Sequence, residues 1–184
     1  EALTGEIPLK AMKISNTLYI VPSTIDLTGA EIELSSEIGR EAILRKLLNK
    51  VKADYDFIFI DCPPSLGLLT INALTAADEI YIPLQAEYLA FKGLSRLINV
   101  VEKVRDALNE KLKITGVIIT RFSKRKILNQ NIADVTGEYF EDRLFKTRIR
   151  ENISLAEQGK QLAMAMEGVT VGRQIEEGDF LYTD

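Results

Sequence analysis

The chain has no histidine and no tryptophan, and one cysteine, Cys62, in 184 residues. Without histidine, an imidazole base and His-ligated metal sites are excluded. One cysteine closes no internal disulfide, so the fold must rest on its core, and a reducing interior fits. Long apolar runs are also missing. The longest uncharged run, Cys62 to Ala77, opens with two prolines and carries polar residues. It falls short of the roughly 20 apolar residues that a membrane span needs. The opening residues show no secretory signal pattern. Glu1 is not an initiator methionine, which points to a fragment or a processed chain.

What is present is ordinary globular composition, 46% apolar and 27% charged. The length suits one domain with a sizeable core. The net charge of −4 is unevenly spread. Lys111 to Arg150 holds ten basic and four acidic residues, a local +6 that leaves −10 for the remainder. Such asymmetry suggests a basic face on an acidic body. A merely solvated, lysine- and arginine-rich surface is the competing reading.

Apolar periodicity alternates between strand and helix. Leu18 to Val21 is a short strand-like run closed by Pro22. Ala42 to Val51 places apolar residues on one helical face. Asp56 to Ile60 is a near-continuous apolar run, expected of a strand buried on both faces. Leu66 to Ala76 reads as a helix, Glu79 to Leu84 as a strand, and Leu94 to Leu108 as an amphipathic helix. Ile114 to Thr120 is another buried strand, Ile127 to Phe140 another helix, and Leu144-Phe145 a short edge strand. Ser154 to Met166 carries a capping-box pattern and reads as a last helix. Gly168 to Asp184 shows no clear period.

Strands separated by helices of this length predict βαβ units and a mostly parallel sheet with helices on both faces. Ligands of such sheets sit beyond the carboxyl ends of the strands. Residues just after each strand are therefore the informative ones. They are Pro22 to Thr24, Asp61 to Pro64, Gln85 to Glu87 and Thr120 to Phe122. Asp61 ends the apolar run, and its hard oxygens suit the Mg²⁺ of a nucleotide site. Pro63 and Pro64 fix φ and remove two backbone donors, giving a stiff, extended path. A stiff segment beside a γ-phosphate can serve as a switch. Asp61 as a plain helix cap fits the same pattern.

The longer stretch "YDFIFIDCPPSLGLLTINALTAADEIYIPLQAEYLAFKGLSRL" resembles the ParA/Soj family of chromosome- and plasmid-partitioning ATPases. "LYIVPSTIDLTGAEIEL", "LKITGVIITRF" and "YFEDRLFKTRIRENISLAE" extend the likeness to roughly residues 1–160. The related cell-division branch carries "DxPAG" and a membrane-binding amphipathic tail, and the nitrogenase iron protein branch uses cysteine ligands. This chain shows none of these.

The resemblance implies an α/β, P-loop NTPase-like fold of the deviant Walker type. Asp61 would hold Mg²⁺ through water, and Asp61, Pro63 and Pro64 would belong to the switch beside the nucleotide. Thr120 and Arg121 would lie near the adenine. The family has a proline near the base where Arg150 stands here. ATP and Mg²⁺ are the implied cofactors. The family's Walker A loop, with its lysine and glycines, and its first switch have no counterpart in these residues. The pattern places both before Glu1, so the fold is expected to lack its first strand and phosphate loop. The expected organisation is the carboxyl-terminal part of an ATPase domain over 1–166, followed by an atypical tail over 167–184. The 184 residues by themselves are expected to hydrolyse no ATP.

The resemblance also implies ATP-controlled dimerisation and DNA binding without sequence preference. One family arginine for DNA aligns with Arg125 in "SKRK". A second aligns with Ser154, with Arg148 and Arg150 as nearby basic substitutes. Lys124, Arg125, Lys126, Arg148 and Arg150 are thus the expected DNA-facing residues. The other expected partners are a ParB-like protein and a second copy of the chain. No membrane is expected, and the location implied is the bacterial cytoplasm, on the nucleoid. A ParA-like remnant that docks on DNA or a partner without hydrolysis is the alternative.

Overall fold

A computed structural model describes residues 2–24, 27–63 and 65–151. Its centre is a parallel strand pair built by two of the apolar β-patterned segments. Before it come a small hairpin, β1 (Met12–Lys13) and β2 (Tyr19–Ile20), with Met12 opposite Ile20, and the helix α1 (Leu27–Leu34). A 3₁₀ turn at Arg40–Ala42 leads into α2 (Ile43–Leu48). Then follow α3 (Leu68–Ala76), β3 (Glu79–Gln85), α4 (Tyr88–Ala107), β4 (Lys113–Thr120) and α5 (Ile127–Phe140).

β3 and β4 run parallel, joined by α4, as the alternation predicts. Their register runs from Glu79 opposite Lys113 to Gln85 opposite Thr120, with an irregularity between Ile80 and Tyr81. On the far side of β4 the chain returns over 144–150. Phe145 N–H donates to the Val117 carbonyl at 2.9 Å, and Ile149 N–H to that of Ile119 at 2.8 Å. Gly116 makes room for this return, because a Cβ there would lie 2.6 Å from Phe145 Cε1.

Ile82, Leu84, Val117 and Ile119 point to one face, where they pack with Leu94 of α4 and Ala133 and Phe140 of α5. A second cluster of Leu74, Val101, Val104 and Leu112 fastens α3 to α4. Polar ties complete the joint. Buried Asn72 accepts from Leu44 N–H at 3.1 Å and donates to the Arg40 carbonyl at 2.7 Å. Asn109 donates to the carbonyls of Leu74 and Ala77.

The main departure from the sequence reading is Asp56 to Ile60. This segment pairs with no strand among the described residues. Phe57 and Phe59 stay 81% and 88% exposed, their rings stacked 6.4 Å apart. A buried-strand sequence becomes a ladder only beside a partner edge, since its backbone groups bond across strands. α4 begins at Tyr88 rather than Leu94. The helix expected over Ser154 to Met166 and the tail lie outside the described residues, as does Pro64.

Candidate functional site

At the carboxyl ends of β3 and β4 the pairing runs one residue further, with Ala86 N–H on the Thr120 carbonyl at 3.1 Å. Both chains then turn sharply into helices. Glu87, extended at φ −130°, precedes α4, and its side chain makes no capping bond. Arg121 takes φ 51°, a left-handed conformation uncommon outside glycine. Asn129, buried in the first turn of α5, holds the two turns together. Its Oδ1 accepts from Ser123 N–H at 2.9 Å, and its Nδ2 donates to the Ala86 carbonyl at 2.5 Å. The amino ends of α4 and α5 therefore open side by side, and their unpaired N–H groups favour negative charge there.

Charged side chains gather on this rim. Arg121 reaches Glu151 at 3.0 Å and Glu87 at 3.7 Å. Lys126 reaches the other Glu151 oxygen at 2.9 Å. Hydrogen bonds from Lys126 first, and from Arg121 second, hold the Glu151 carboxyl below the usual glutamate range. Arg148 lies over the Phe122 ring, 4.6 Å from its centre, a cation–π contact. Arg150 sits in a bridge with Phe122. Lys124 and Arg125 are exposed, and their side chains form no hydrogen bond or ion pair among the described residues.

The expected site residues thus fall into two groups. Thr120, Arg121, Lys124, Arg125, Lys126, Arg148 and Arg150 come together around the end of β4. Asp61 and Pro63 form a separate exposed segment, tied to that group by no hydrogen bond or ion pair among the described residues. Partial burial of its sulfur first, and the Asp61 carboxylate second, push the Cys62 thiol up. No three histidine, cysteine or acidic side chains converge on a metal-sized gap among the described residues. A lone exposed carboxylate suits a hydrated Mg²⁺ whose other ligands are phosphates and water.

Besides Asn129, two participants carry no signal in the sequence. Glu151, just past the basic run, is the hub of the ion pairs. Glu31, on α1, accepts from Leu69 N–H at 3.0 Å and so caps α3 from a distance. The absence of a side chain at Gly67 lets that carboxylate approach. Thr70 adds a 2.6 Å bond to the Ser65 carbonyl, so the far end of the Asp61 segment is anchored twice.

The arrangement defines an α/β fold of the P-loop NTPase type, and comparison with known proteins agrees. A family model described as AAA domain matches residues 2–114. The chain belongs to this family, in its Soj/ParA group. It is 49% identical over 149 residues to the sporulation initiation inhibitor protein Soj of Bacillus subtilis, covering 81% of this chain and 58% of that protein. It is 45% identical over 161 residues to the chromosome partitioning protein ParA of Myxococcus xanthus, covering 85% and 56%. The chain spans little more than half the length of these relatives. Among solved structures, a putative plasmid partition protein of Borrelia burgdorferi bound to AMPPNP matches with TM-score 0.73 at 27% identity, covering 87% of this chain and 62% of that one. A second family model, described as Elongation factor Tu domain 4, matches residues 145–182.

Proposed function

We propose that this chain is the DNA-facing part of a partitioning ATPase that moves chromosomes or plasmids. The reading is supported by the similarity to Soj and ParA proteins over most of the chain. The observation that carries it is the loop after β4, where the exposed side chains of Lys124 and Arg125 have no partner among the described residues. Their charges would neutralise phosphates and release counterions, a binding mode that reads no bases. Asp61 would contact hydrated Mg²⁺ of a bound nucleotide. That ion would supply charge neutralisation at the phosphates when present. Pro63 and Pro64 would hold the segment stiff, while Glu31 and Thr70 fix its exit. Thr120 and Arg121 would flank the base. No lysine-bearing glycine loop occurs in the sequence, so the phosphate cradle is not among the groups these residues supply. A ParB-like partner, a second copy of the chain and a location on the nucleoid complete the proposal. No helix among the described residues is long and apolar enough to cross a membrane.

The test is binding to random-sequence duplex over a salt series. Arg125→Glu is expected to weaken binding about tenfold at low salt and to flatten the salt dependence. Equal affinity of both proteins would reject Arg125 as a DNA contact.

A further inference from the structure

Of the cations at the end of β4, Lys124 and Arg125 are open, but Lys126 is engaged. Its ammonium lies 2.9 Å from Glu151 Oε2. The other oxygen, Oε1, is taken by Arg121 at 3.0 Å. Glu151 thus places a two-oxygen anion between two cations, as a phosphate would sit. The position is built by the backbone. Glu151 N–H bonds to the Phe122 carbonyl at 3.2 Å, and Phe122 N–H to the Ile149 carbonyl at 3.0 Å. Arg121, turned at φ 51°, is held from its other side by Glu87 at 3.7 Å. All three members of the Glu151 cluster remain partly exposed, with side-chain exposures of 53%, 57% and 36% for Arg121, Lys126 and Glu151. Exposed pairs of this kind are weak enough to be exchanged for another anion.

We infer that Glu151 is a built-in competitor for a DNA phosphate at Lys126, pinned in place by Arg121. Lys126 is the exchanging member, because Arg121 keeps Glu87 when Glu151 is displaced. The inference deepens the DNA-facing reading of this loop and rests on it. In the closed arrangement Lys124 and Arg125 meet the duplex without Lys126. When a phosphate takes the place of Glu151, Lys126 joins them and one more counterion is released.

The experiment measures affinity of the 184-residue chain for random-sequence duplex by fluorescence anisotropy over a salt series. The variants are Glu151→Gln, Lys126→Ala, the two combined, and Arg125→Glu. Glu151→Gln is expected to bind about fivefold tighter at low salt, with a log–log salt slope steeper by about 0.9. In the Lys126→Ala background the same substitution is expected to change neither affinity nor slope. A gain of equal size with and without Lys126 would mean bulk charge rather than competition, and would overturn the inference. So would an unchanged affinity of Glu151→Gln. If Arg125→Glu weakens binding while Glu151→Gln is silent, the DNA-facing reading stands and the competitor falls. A Lys126-dependent gain with no effect of Arg125→Glu keeps the competitor and moves the main contact away from Arg125. Absence of duplex binding by every protein would overturn both.

Discussion

Asp61 and Cys62 show what one residue's surroundings decide. The Cys62 thiol is pushed up by partial burial of its sulfur and then by the neighbouring Asp61 carboxylate. A raised pKa leaves less thiolate, which is the reactive form. Alkylation of this sole cysteine at neutral pH is therefore expected to be slower than that of a free thiol, and Asp61→Asn is expected to speed it. An unchanged rate in Asp61→Asn would separate the carboxylate from the sulfur. The positions after β4 were legible because strand ends are where parallel sheets present ligands. Glu151 was not, since its bonds to Arg121 and Lys126 span 30 and 25 residues. No local pattern encodes a partner at that distance. Asn129 is similar. As one polar residue in a helical first turn it reads as a surface position, yet it bridges to a carbonyl 43 residues away.

At the scale of elements, that bridge decides how α4 and α5 present their amino ends. Asn129→Ala would leave Ser123 N–H and the Ala86 carbonyl without their partner. Stranding buried polar groups costs about 1–3 kcal/mol. A loss of about 2 kcal/mol in urea unfolding is expected, with an unchanged m-value. A loss below about 0.5 kcal/mol would place the joint elsewhere. The alternation of β3, α4, β4 and α5 was readable from apolar period, because each segment is long enough for its period to show. Asp56 to Ile60 carries the same strand signal and forms no ladder among the described residues. Composition states that a segment can be buried on both faces, while pairing depends on what lies alongside. The return over 144–150 was seen only at Leu144-Phe145. Its bonds reach to Glu151 and depend on the shape of β4 and on the bare Cα of Gly116.

Across the whole molecule, charged clusters mark both ends of the β3–β4 pair. The cationic loop lies at the carboxyl end of the β3–β4 pair. Phe57 and Phe59 lie bare on the segment leading to Asp61. The opposite end of the sheet is closed by Glu79, bound to Lys113 at 3.0 Å and to the Tyr81 hydroxyl at 2.9 Å. The family model covers residues 2–114, and the matches to Soj and ParA proteins run further, over 149 and 161 residues. The proposed DNA contact after β4 therefore rests on that similarity together with the exposed cations of the loop.

The central claim is that duplex DNA meets the chain at the carboxyl end of β4. Hydrogen exchange with and without random-sequence duplex tests this most directly. The account predicts slowed exchange at 121–128 and around 148–151, with β1, β2 and the Glu79 end of the sheet unchanged. Protection confined to other segments, or none anywhere at duplex concentrations that saturate binding, would contradict it.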